Sequence, residues 1–500
     1  MAKLSSALAM ALALAGVSAP AQAQHEHVGG PPQVPVTPMA NAYQRGLYLL
    51  HNFEYGSAAA AFRAAQQADP GNVMAYWGEA MTYNHPLWAE QDAAAARAVL
   101  ARLGTDTAAR RSKARTAREA QWLGAVEALY GDGSKVERDL AYHARMQAIF
   151  EADPADIDAR SFYALATLGL AHKGRDTALY MRSAALLEEA YPVHSQHPGL
   201  LHYMIHSYDD PAHAPLGERA AARYAKVAPD AGHAQHMVSH IYLALGRWAE
   251  VERTNRVADA VVDAERRAAG RPVADCGHYN SWLIYALDQQ GKDSRSAVDA
   301  CRAQALTTLA AGKDNSTLGE RSSLYNNWAS IAVRHGADTG QWPQWSQLPK
   351  VDGAALGRFD LAHGRLLASR QDRAAASAAL DEMRRLKVRI LEALPKERPD
   401  DHDSAPWIDR AMAQGEAMVT LAGGQLDEGL RLLRAAAEAE AALPLPFGPP
   451  ILPRPSFELL GDELLALGRK AEAAEAYRRV LETAPGRRLA MRGLEAALSR

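Results

Sequence analysis

Five hundred residues are too many for one compact core and point to a solenoid or to several domains. The formal charge is -3, acids and bases are interleaved, and no basic run is long enough to track phosphates, which argues against a nucleic-acid partner. The hydrophobic share is 48% with only 7% aromatics and abundant alanine, a mixture suited to closely crossing helices, and no later apolar run reaches the length of a membrane span.

The chain opens on Lys3, an apolar run from Leu4 to Val17, and the small-x-small triplet Ala21-Gln22-Ala23. That order is a secretion signal over residues 1–23, too short for a stable anchor, with a mature start near Gln24. The product is expected to be exported, periplasmic or secreted. Residues 24–39 follow as a flexible leader rich in Pro and Gly, carrying His25 and His27.

Helical pairs begin at residue 40. The first is expected over 40–52 and 57–68, with Gly46, Tyr55, Ala58, Phe62, Ala65 and Pro70 at repeat spacing. Another helix opens at Met74 with the wedge Tyr76-Trp77-Gly78. Further pairs are read at 113–130 with 137–151, and at 156–170 with 177–190, stopped by Pro192. Next come 199–208 with 216–227, 232–245 with 248–268, and 277–290 with 293–311. A helix at 318–335 closes this N-terminal array of 40–335. An irregular linker, 336–353, holds Trp342 and Trp345.

The C-terminal part, 354–500, repeats the pattern at 354–369 with 372–393 and at 406–422 with 426–441. Alternating β-branched residues are too few to propose a sheet. Two long loops interrupt the array, Leu394–Trp407 and Leu443–Pro455. The second has six prolines in thirteen residues and is either a plain spacer or a strap across the inner surface. After it come Leu460, Gly461, Leu464, Gly468, Ala473, Tyr477 and Pro485, and then a capping helix from Arg487 to Leu498.

That last set of spacings resembles the tetratricopeptide (TPR) repeat, clearly in this unit and the first, more loosely between. The resemblance implies an all-α, right-handed α-solenoid of TPR-like helical hairpins that binds a protein or peptide partner in its concave groove.

The chemistry concentrates elsewhere. Eighteen histidines spread over 500 residues would leave about two in the window 194–240, and eight are there. His202 and His206 share a helix face, and His233, His236 and His240 share another. Both helices are first members of adjacent pairs, so their stripes are expected to meet or to face one groove. Neutral imidazole is the commonest nitrogen ligand of zinc, copper and iron, and an i, i+4 pair plus one ligand from a neighbouring helix is a familiar way to hold such an ion. One ion takes three or four of these groups. His202, His206, His236 and His240 are the favoured set, with His233 as substitute and Asp209 or Asp210 as a further ligand or as the group that fixes a tautomer. His51, Glu54, His85 and His278 are further candidates for the groove.

The strings His202-Tyr203-Met204-Ile205-His206-Ser207-Tyr208-Asp209-Asp210-Pro211 and His233-Ala234-Gln235-His236-Met237-Val238-Ser239-His240 resemble a group of exported bacterial TPR proteins. That likeness carries no catalytic assignment.

Cys276 and Cys301 are the only cysteines and fall on neighbouring helices. They form a disulfide, plausible in an oxidising compartment, or remain two buried thiols. Gly-x-Ser-x-Gly and a phosphate-binding Gly-rich loop are both absent from the sequence. Two functions remain: a binding scaffold, or a metalloprotein (a hydrolase, an oxidase or a metal carrier) built on the same frame.

Overall fold

The structure is a computed structural model that describes residues 39–499, apart from 315, 400, 402 and 403. The secretion signal, His25, His27 and nearly all of the leader lie outside the described residues. Among those described, twenty-three α-helices follow one another as antiparallel hairpins, an all-α solenoid. Among the described residues, no helix is long and apolar enough to cross a membrane.

One packing device recurs at both ends. Phe62, fully buried, is wedged between Gly46 and Gly78, where an added Cβ would lie 2.7 and 2.3 Å from its ring. Tyr477 sits in the same way between Gly461 and Gly493, with corresponding distances of 2.7 and 2.2 Å. In each case the aromatic ring lies sixteen residues from both glycines. Three consecutive helices thus close on one ring, and only glycine lets them approach that far.

Several boundaries differ from the sequence expectation. The helix Thr177–His194 runs through Pro192, which falls in its last turn and so forfeits little hydrogen bonding. The helix expected from 318 begins at Leu324, behind Ser323 as its cap, because Glu397 holds the backbone N–H of Leu318 in a turn at 2.9 Å. It continues to Thr339, into the expected linker. The loop expected at Leu394–Trp407 is shortened from both sides, by helices ending at Glu397 and starting at Ser404. Helices Ala93–Leu103 and Thr107–Arg111 fall where no repeat spacing was seen, each capped by an aspartate. A two-stranded ladder, Asn84–His85 with Glu90–Gln91, corrects the expectation of no sheet and presents Trp88 at its tip.

The array also folds back on itself. Arg487, fully buried, pairs with Glu458 at 2.6 Å and with Asp338 at 2.8 Å. Trp248 donates to the carbonyl of Gly486 at 2.8 Å, and Gln289 accepts the N–H of Arg488 at 2.9 Å. The last repeat therefore rests on helices Trp248–Ala268, His278–Gln290 and Leu324–Thr339. This contact draws the proline-rich loop beside the histidines. Gly448 abuts Trp282, where a Cβ would be 2.4 Å from the indole, and Pro450 accepts from Arg334 at 3.0 Å. Of the two roles open to that loop, the strap is the one observed. Cys276 and Cys301 are joined in a disulfide across 25 residues of sequence, a closure worth about 3 kcal/mol.

The wedge yields a prediction. Gly78→Ala should lower stability by about 1–3 kcal/mol, because the buried Phe62 ring has no room to yield. Gly56→Ala, which meets nothing within 4 Å, should leave stability level or raised. Denaturant titration of the two variants checks this, and equal stabilities would contradict it.

Candidate metal centre

Three helices supply six histidines. Pro198 starts the helix Pro198–Ser207, which buries His202 and His206 one turn apart. The helix Gly232–Ala244 carries His233, His236 and His240. Its first turn is held by Glu54, whose Oε1 accepts the His233 N–H at 2.9 Å. His278 opens the helix His278–Gln290, two residues after the disulfide at Cys276.

These groups do not surround one point. The expectation of a single four-histidine site gives way to two groups of three. His202, His206 and His233 form one; His236, His240 and His278 form the other. Within each group the nitrogens lie within 4.8 Å of one another. The split follows from geometry: each i, i+4 pair fills one side of a site, and the third ring comes from the start of the next first helix.

The second triad has its protons assigned by its partners. Asn255 donates its amide N–H to the Val251 carbonyl at 2.8 Å, so its Oδ1 faces His236 as an acceptor. His236 Nδ1–H donates to it at 2.7 Å. His240 Nδ1–H donates to the Asp209 carboxylate at 2.6 Å. With both protons on Nδ1, both Nε2 atoms carry lone pairs, and they face each other at 3.1 Å. His278 Nε2 stands 3.0 Å from His236 Nε2. One lone pair can accept one proton, so a single N–H leaves a repulsive pair. A cation among the three nitrogens resolves it.

In the first triad one ring alone has its proton fixed by a partner. His202 Nδ1–H donates to the His51 carbonyl at 2.6 Å, and its Nε2 faces His206 Nε2 at 3.1 Å. The buried His206 Nδ1 and His233 Nε2 have no hydrogen-bond partner among the described residues. Buried orphans of this kind cost about 1–3 kcal/mol each.

Burial sets the charge state. It lowers His202 to about 3, and a hydrogen bond to the His51 carbonyl only partly offsets it. Burial, with repulsion from neighbouring imidazoles, holds His206, His233 and His236 well below the usual histidine range. These four rings are therefore neutral, the form that binds metal.

A third cluster, His51, Asp158 and His197, is close enough to suggest the same chemistry. Its hydrogen bonds argue otherwise. His51 Nε2–H and His197 Nε2–H both donate to Asp158 Oδ1, at 2.9 and 3.1 Å. His51 Nδ1 accepts from the Tyr203 hydroxyl at 3.1 Å, and His197 Nδ1 accepts the Leu200 N–H at 3.2 Å. Burial opposes charge on Asp158, but the two histidine hydrogen bonds outweigh it and hold the carboxyl well below its usual range. Every ring nitrogen has a complementary partner, so this cluster is a strut.

The remaining candidates serve other ends. Asp209 orients His240 and is backed by Arg175, whose guanidinium lies 4.0 Å away and also donates to the Asp209 carbonyl. Asp210 caps the following turn and pairs with His213 at 2.8 Å, away from both triads. His51 contributes its carbonyl, not its ring. His85 stacks on Tyr55 with centroids 4.1 Å apart and donates to the Thr82 carbonyl at 3.1 Å, so it joins neither group. Sequence reasoning missed Asn255, which sits on the second helix of its hairpin and carries no motif. It also missed Trp282, 4.4 Å from His240, while Phe53, between the candidates His51 and Glu54, is held at φ 55° with its ring 4.3 Å from that of His202. Phe447 of the proline-rich loop stacks on Arg175 at 4.5 Å, supporting the residue behind Asp209.

No protein-family description and no curated protein matches the chain in sequence. Among solved structures, a human IFIT1 dimer with m7Gppp-AAAA is similar at 13% identity and a TM-score of 0.31, over 80% of this chain and 94% of that one. The TPR domain of P58(IPK) is similar at 11% identity and a TM-score of 0.23, over 91% and 96%. Yeast Tom70 is similar at 12% identity and a TM-score of 0.24, over 91% and 94%. Nothing about this chain's chemistry follows from these likenesses.

The lowered histidines predict how the metal-free protein responds to acid. An unfolded chain takes up protons at its histidines near 6.5, whereas His202 resists protonation down to about 3. Stability is therefore fully present above pH 6.5 and falls as pH drops toward 3. His202→Gln should flatten that slope by about 1.4 kcal/mol per pH unit. Denaturant titrations between pH 7 and pH 4 check this, and an unchanged slope would contradict it.

Proposed function

We propose that this helical repeat scaffold is an exported metalloprotein that holds two transition-metal ions, one on each histidine triad. The observation that carries the reading is the pair of Nε2 lone pairs on His236 and His240, pointed at each other at 3.1 Å by Asn255 and Asp209. No arrangement of protons among neutral rings satisfies both. Three imidazoles per ion leave a coordination position open, which suits activation of a small molecule better than purely structural binding. Copper, zinc and iron all accept such ligands, and copper(II) binds nitrogen sites most tightly. Export is supported by the secretion-type leader and by the disulfide beside His278.

A protein or peptide partner, the other use such repeats invite, would bind on a different face. Beside the histidines the chain's own Phe447 and Gly448 already occupy the surface.

Elemental analysis of the mature protein, reconstituted in turn with copper, zinc and iron and then desalted, should find two ions per chain. His236→Ala/His240→Ala should retain one, and adding His202→Ala/His206→Ala should retain none. A wild-type chain that holds none of the three metals overturns the proposal.

A further inference from the structure

We infer that the two triads act together as one copper pair that takes up dioxygen and oxidises hydroxylated aromatic rings bound in the cavity before them. This inference rests on the metal reading above and adds the metal's identity, the coupling of the two sites and the substrate class.

The sites are neighbours. His233 belongs to one and His236 to the other, three residues apart on one helix. Their ring centroids are 6.3 Å apart, and those of His206 and His240 are 6.0 Å apart. Two ions held by these rings share one wall of protein and open into one space.

The donor set suits copper. All six ligands are imidazoles, and no carboxylate belongs to either triad. Two divalent ions would keep their whole charge in a largely buried site, whereas two copper(I) ions would keep half of it. The adjacent acid, Asp209, is already engaged by His240 and Arg175. Hydrolytic metal pairs depend on a permanently divalent, water-activating ion. An all-imidazole site accommodates an ion that spends part of its cycle monovalent, and reduced copper passes electrons to dioxygen.

The cavity selects the substrate. It encloses about 500 Å³, and every triad histidine except His202 lines it. Its other walls include Leu87, Trp88, Tyr279 and Phe447, a surface for a flat ring. Trp88 is 50% exposed at the tip of its ladder, its ring 6.3 Å from that of His233. It rests edge-on against Phe53, with centroids 5.8 Å apart, and leaves half of its surface open at the cavity mouth. The same wall carries the Asp259 carboxylate, held by the Asn280 amide at 3.1 Å, an acceptor for a substrate hydroxyl.

The reaction balances with dioxygen as oxidant. Two 1,2-dihydroxybenzene molecules each lose two electrons and two protons to become the quinone. The O–O bond of one dioxygen breaks, and its two oxygen atoms take those four electrons and four protons and leave as two waters.

The test uses the mature chain loaded with copper(I) without air, confirmed at two ions per chain, then given air and 1,2-dihydroxybenzene. Quinone should form at one dioxygen per two quinones, well above an equal amount of free copper. After exposure to air alone, the copper(II) paramagnetic signal should count for far less than two spins per chain, because adjacent ions couple. Trp88→Ala should raise KM about tenfold with kcat within about twofold. His240→Ala should leave one copper and abolish turnover. Two bound coppers without catalysed dioxygen uptake, or full turnover from the one-copper variant, would overturn the inference and leave the metal reading intact. Retention of zinc but not copper would do the same. A chain that holds none of copper, zinc and iron overturns both.

Discussion

Two nitrogen lone pairs facing each other across 3.1 Å are the constraint around which this molecule is arranged. Imidazole ordinarily escapes such a clash by moving its proton to the other nitrogen. Here it cannot, because Asn255 and Asp209 claim those protons at 2.7 and 2.6 Å. Asn255 is itself fixed by the Val251 carbonyl, and Asp209 by Arg175. Burial then keeps His202, His206, His233 and His236 from taking up protons. A cation bound between the two nitrogens relieves the repulsion that these contacts hold in place.

The fold supplies the rigidity that this arrangement needs. Glycine–aromatic wedges at Phe62 and Tyr477 clamp consecutive helices, so helix faces keep their orientation along the array. The disulfide at Cys276 fixes the chain just before His278, the one ligand of the second triad at the rim. The last repeat returns to the middle of the chain through Arg487, and the loop before it brings Phe447 onto Arg175. The support behind Asp209 thus comes from residues more than two hundred positions away in sequence. The neighbouring cluster of His51, Asp158 and His197 makes the comparison within one molecule. It brings two imidazoles to similar distances around a carboxylate, and every nitrogen there has a complementary partner.

Much of the architecture was legible in sequence because helical periodicity and repeat spacing are local properties. The wedge at Gly46, Phe62 and Gly78 can be read directly from spacing, and so can the i, i+4 pairs that put two imidazoles on one face. What escaped depended on chain closure. His278 gave only a weak signal because its partners are 38 and 42 residues upstream. The division into two triads turned on which first helix supplies the third ring. Pro192 misled because a proline stops a helix only where the lost hydrogen bonds matter, and in a last turn they do not. The ladder at Asn84–Gln91 is too short to show alternation. Asn255 and Phe447 belong to no pattern at all, and their roles exist only in three dimensions.

Anomalous diffraction from crystals of the copper-loaded protein tests the central claim most directly. The account predicts two separate peaks, one among His202, His206 and His233 and one among His236, His240 and His278, each about 2.0 Å from three imidazole nitrogens. Peaks elsewhere on the surface, with both triads joined by N–H···N hydrogen bonds instead, would contradict it.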